Sequence, residues 1–135
     1  MQGTTTADDE PAQPVADAHL ELLVRLVEAQ SGASMALSLT TPGGIVSGRL
    51  VGSAVWAERW REAVREAVRA EDHADQLIQL PHIVQDAMPE TDAAGLHDFV
   101  HLVDVTFLSA PGPPTTPLWR GRVRDISGWS LGAPR

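Results

Sequence analysis

Arg120, Arg122 and Arg124 alternate near the C-terminus, and at the period of a β-strand this spacing puts three guanidinium groups on one sheet face. Such a row forms forked, charge-assisted hydrogen bonds to carboxylates, so it reads as a docking strip for acidic groups on a partner or on a second copy of the chain. The bland alternative is a solvated strand face whose charge is balanced elsewhere. Trp119 falls on the opposite face in the same register, which assigns its indole to the core, with an interface anchor as the other reading.

Gly128-Trp129-Ser130-Leu131-Gly132 matches the G-x-S-x-G nucleophile elbow, whose chemistry needs a strand before the serine, a helix after it and a histidine base in reach. Only five residues follow Ser130 and none is histidine, so the segment reads instead as a terminal hairpin strand with flanking glycines. His82 with Asp86, or His97 with His101, would face one another on a helix. Pro81 adjoins the first pair, however, and the second straddles the start of a strand. His73, His82, His97 and His101 are all in the acidic second half of the chain, and His101 is expected to pack along a strand with a ring nitrogen satisfied by a neighbour. There is no P-loop, dinucleotide fingerprint or paired-carboxylate motif. No catalytic residue, metal or cofactor is therefore expected.

Composition narrows the class further. The chain has 135 residues, 43% of them hydrophobic, enough for one domain with a core and hardly enough for two. It contains no cysteine, so disulfides and thiolate metal sites are unavailable and the fold must rest on packing and hydrogen bonds. No stretch approaches the roughly 20 apolar residues of a membrane span, and residues 2–13 lack the basic-then-apolar order of a secretory signal. No membrane partner and a cytoplasmic location are expected. A formal net charge of −8 argues against nucleic acid, whose binding depends on Lys and Arg neutralising phosphates. The charge is lopsided: residues 1–98 hold sixteen acids against six arginines, residues 99–135 two acids against four arginines.

The elements that must position these residues follow from periodicity. Residues 1–14 have almost nothing to bury and are expected to form a disordered acidic tail, with a single domain over 15–132. From Val15 to Gln30, Asp17, Glu21, Arg25 and Glu28 form one polar stripe while leucines and valines cover the rest, which predicts a largely buried helix ending at Ser31-Gly32. Met35, Leu37 and Leu39 alternate with small polar residues up to a Pro42-Gly43-Gly44 turn, and Ile45–Val51 completes a hairpin. Gly48 interrupts the second strand, where a bend or bulge is expected. Ser53–Glu71 reads as an amphipathic helix whose Trp56 and Trp60 anchor it to the sheet and whose acids precede arginines by three residues. Within residues 72–98 a short helix and a mobile connection are expected; between Arg69 and Arg120 stand eight acids and no Lys or Arg. Phe99–Leu108, Leu118–Ile126 and Trp129–Gly132 read as further strands, with Ser127-Gly128 a tight turn between the last two.

This order predicts an α+β fold: a small bent antiparallel five-stranded sheet, or a barrel of the Sm or SH3 type, closed by the N-terminal helix and carrying a helical, partly mobile insertion over 53–98 between strands 2 and 3.

Several segments carry a family resemblance. Leu20–Leu26, Ser38–Gly48 with its glycine turn, Phe99-Val100-His101-Leu102, and Trp119–Val123 followed by Gly128–Gly132 resemble, in this order, the gas vesicle accessory proteins of the GvpU type. Residues 1–14 and 70–98 depart from that pattern. The resemblance implies a soluble, non-catalytic protein that associates with the gas vesicle shell, or with other gas vesicle proteins, or with itself. Read from the residues, the lopsided charge and the arginine strip suit weak multivalent contacts that would modulate assembly or clustering, with Arg120, Arg122, Arg124 and Trp119 as the expected contact residues. The sequence suits an accessory role, because it has no segment fit to present a strongly apolar wall to gas. The alternatives are an Sm-like RNA-binding module, testable by a steep salt dependence of oligonucleotide retention, and a small-ligand or hydrolytic domain dependent on Ser130 or His101.

Overall fold

In a computed structural model of the protein, residues 17–30, 32–68, 79 and 97–132 are described. The expected tail and the expected short helix and mobile connection within 72–98 lie outside or almost wholly outside them. The first helix, α1 (Ala18–Ala29), starts where Asp17 stays extended and its carboxylate accepts the amides of His19 and Leu20, satisfying donors the first turn leaves open. Its Leu20, Val24 and Val27 are buried against one sheet face.

That sheet comprises β1 (Met35–Thr41), β2 (Gly44–Val51), β3 (Phe99–Phe107), β4 (Thr115–Arg122) and β5 (Gly128–Leu131), in the order β4-β3-β2-β1-β5 with every neighbouring pair antiparallel. The α+β architecture with five antiparallel strands is as the sequence predicts. The sheet is open: among the described residues no β4–β5 ladder closes it into a barrel. Both boundaries of the fourth strand differ from the sequence reading. The fourth strand begins at Thr115 and ends at Arg122, because Val123–Asp125 forms a 3₁₀ helix that buries Val123 and bonds its amide to the Asp98 carbonyl. Nor do the last two strands form a hairpin. The 3₁₀ helix carries the chain across to the opposite edge, where β5 pairs with β1 and sets Trp129 against Leu39.

Leu37 and Leu39 of β1, Val46 and Leu50 of β2, Val100, Leu102 and Val105 of β3 and Val123 complete the core beneath α1. Keeping Val100, Leu102 and Val105 on one face requires one supernumerary residue, since strict alternation would turn Val105 away. The register supplies it: two steps on β2, from Ser47 to Arg49, span three on β3, from Val103 to Thr106. The bulge forecast at Gly48 is thus present, but the extra residue is on β3, where Asp104 takes a left-handed conformation with φ of 54°. Gly48 makes room for it, since a Cβ there would lie 2.9 Å from the Val103 carbonyl oxygen.

The second helix, α2 (Ser53–Ala67), packs against β3 and β4 on the other face. Its first turn lacks a side-chain cap of its own, and Glu28 of α1 supplies one, accepting from the Ser53 amide and, at 2.9 Å, from its hydroxyl. Trp56 and Trp60 lie with ring centroids 5.4 Å apart beneath the helix, and Glu58 pairs with Arg61 as their spacing suggests. No helix among the described residues is long and apolar enough to cross a membrane.

Candidate interaction surface

The predicted arginine row divides into two parts with different surroundings. Arg120 stands opposite His101 in the β3–β4 ladder and Arg122 opposite Phe99, so both side chains start on the α2 face. Arg120 turns inward. Its guanidinium sits 3.6 Å from the Phe99 ring centroid, and its Nε donates to His101 Nε2 at 3.1 Å. His101 is 3% exposed, and its ring centroid is 5.3 Å from that of Trp56. Burial, then the positive charge of Arg120, then His97 push the His101 pKa down to about 3, so the imidazole is a neutral acceptor at physiological pH. The expectation of a strand histidine with a satisfied ring nitrogen matches this geometry.

Arg122 and Arg124 are exposed, and neither forms an ion pair among the described residues. With Asp98 and Phe99 they line a shallow depression at the end of edge strand β4. Arg124 joins them from the 3₁₀ helix rather than from the strand, since the turn at Val123 breaks the period of two. The result is two exposed arginines beside the Phe99 ring, over which Arg120 also stacks, and guanidinium groups so placed have the chemistry to pair with carboxylates. Phe99 was legible only as a strand residue; its place in the site follows from the register.

Trp119 lies on the opposite face, across from Leu102, and packs against the core. Its indole covers Gly121, where a Cβ would come within 2.8 Å of Cζ2 and 2.9 Å of Cζ3.

The remaining candidates separate. Ser130 is on β5 opposite Ser38, in an edge strand rather than at a strand-to-helix turn, so the elbow geometry is absent there. His97 faces α1, with Nδ1 2.8 Å from Glu21 Oε1 and its amide 3.1 Å from the same oxygen, whereas His101 faces α2. Burial alone would raise the Glu21 pKa, but the His97 ring and amide and the Arg25 guanidinium outweigh it and hold the carboxyl below its usual range. No group of three or more potential ligands from His, Cys, Asp and Glu assembles among the described residues, and His73, His82 and Asp86 lie outside them. Sequence reasoning missed the Glu21–His97 clamp, because Glu21 lies on the polar stripe of α1 and nothing local marks it as buried.

Comparison with known proteins agrees with this architecture in extent. No curated protein and no solved structure matches the chain. A family model described as gas vesicle protein GvpU-like matches residues 17–134, from the cap of α1 past the end of β5. The chain therefore belongs to the GvpU-like family of gas vesicle proteins.

Proposed function

We propose that the protein is a non-catalytic, cytoplasmic accessory factor that associates with the gas vesicle shell, or with another gas vesicle protein, and modulates vesicle assembly or clustering through weak multivalent contacts. The observation that carries this reading is the exposed pair Arg122 and Arg124 beside Phe99. These groups suit surface carboxylates of a partner, each contact being modest and many combining through effective concentration on a repetitive surface. Arg120 has a bracing role, holding Phe99 and His101 in place. Trp119 serves the core that carries β4.

Co-flotation with isolated vesicles tests the proposal. The protein should rise with vesicles at low salt, and Arg122→Ser with Arg124→Ser should leave most of it in the subnatant. Absence of co-flotation, or retention by the double variant, would overturn it.

A further inference from the structure

The two edges of the sheet are unlike. β4 carries Pro117, Arg120 and Arg122, a proline and two charges of the kind that discourage strand addition. β5 is Gly-Trp-Ser-Leu, with neither charge nor proline, and no described strand covers its outer side. Its register fixes which backbone groups look outward. The Gly132 amide bonds to the Ala36 carbonyl, and with Ser38 opposite Ser130 and Thr40 opposite Gly128 the inward-directed set is Gly128, Ser130 and Gly132. The N–H and C=O groups of Trp129 and Leu131 therefore point away from the sheet. Leu131, across from core residue Leu37 and thus on the α1 face, is nevertheless 65% exposed.

We propose that β5 pairs antiparallel with β5 of a second copy of this chain, joining two sheets about a twofold axis at Ser130. The strand is self-complementary for that arrangement. Outward groups at 129 and 131 must meet outward groups, and symmetry about Ser130 sets Trp129 of one copy opposite Leu131 of the other, twice. Each exposed leucine then gains an aromatic cross-strand neighbour. Charge favours the same site: a molecule of net charge −8 repels its copy over most of its surface, and an uncharged edge is where two copies meet at least cost. A dimer would carry two copies of the Arg122–Arg124 surface, so it could bridge two vesicles. The pairing itself does not depend on vesicle docking.

The absence of cysteine provides the test. In this register the two Ser130 residues form a non-hydrogen-bonded pair with Cα atoms roughly 4.5 Å apart, inside the range a disulfide spans. Ser130→Cys should oxidise to a covalent dimer, whereas Thr115→Cys on the β4 edge should stay monomeric. Wild-type protein should sediment at twice its 14.5 kDa chain mass at high micromolar concentration, and Leu131→Lys, at an exposed position, at the single mass. A folded Ser130→Cys that stays monomeric, equal cross-linking through Thr115→Cys, or a wild type that sediments as a monomer would each overturn the proposal. Monomeric wild type that still co-floats with vesicles would leave the docking role intact while removing the dimer.

Discussion

Arg120 donates its Nε–H to Nε2 of His101, 3.1 Å away, so the charged member of the pair braces a histidine that must remain neutral. Protonation would place two cations in contact beneath α2. The pKa of about 3 for folded His101, against an unfolded value near 6.5, means the unfolded chain binds the extra proton throughout the interval between them. Stability is therefore complete above about pH 6.5 and declines as pH falls towards 3, by at most about 1.4 kcal/mol per pH unit. Thermal melts between pH 7 and pH 4 should show this slope, and His101→Gln, which keeps an acceptor for Arg120, should flatten it.

Glu21 behaves differently on the acid side. Its folded pKa lies below the ordinary 4.5, so its stabilising effect is complete above that value and is lost as pH falls through the folded one. Glu21→Ala should destabilise by about 1–3 kcal/mol at neutral pH, because the His97 amide and ring lose a buried acceptor. Faster amide exchange at His97 than in the wild type would locate the loss at the clamp.

Glu28 caps a helix that is not its own. Glu28→Ala should cost about 0.5–2 kcal/mol by exposing the open donors at the start of α2, and Glu28→Gln should cost less because an oxygen acceptor remains. Chemical denaturation of the two variants checks the ranking.

Gly121 has no room for a side chain while Trp119 keeps its place. Gly121→Ala should destabilise by about 1–3 kcal/mol through overpacking. The cost should shrink when Trp119→Leu is already present, a non-additivity that a double-mutant cycle reads directly.

Most of the frame was legible because its signals are local. The period of α1, the Pro42-Gly43 turn and the β-prone run from Phe99 each carry their own pattern, and Gly48 marked the bulge. The destination of β5 was not legible. Ser127-Gly128 has the chemistry of a tight turn, and long-range contacts, among them the burial of Val123, the pairing of Trp129 with Leu39 and the Trp129 indole N–H donated to Asp17, send the chain across the sheet. The arginine row failed as a uniform strip for a related reason. Alternation predicts a face, but not that α2 covers part of that face and draws Arg120 onto Phe99 and His101.

That division gives the docking proposal an internal control. Arg122 and Arg124 are exposed, so replacing both with Ser should change stability by no more than about 0.5 kcal/mol each. Arg120→Ser removes the hydrogen bond to His101 and the contact with Phe99, and should lower the melting temperature measurably. If docking rests on the outer pair, co-flotation should collapse in the double variant at unchanged stability. It should also weaken between 0.05 and 0.5 M salt for the wild type, since exposed charges are screened over roughly 10 Å at 0.1 M. Arg120→Ser should lose co-flotation only in step with its loss of folded protein, as followed by circular dichroism. Salt-insensitive flotation, or a double variant that floats like the wild type, would move the contact away from the Arg122–Arg124 surface.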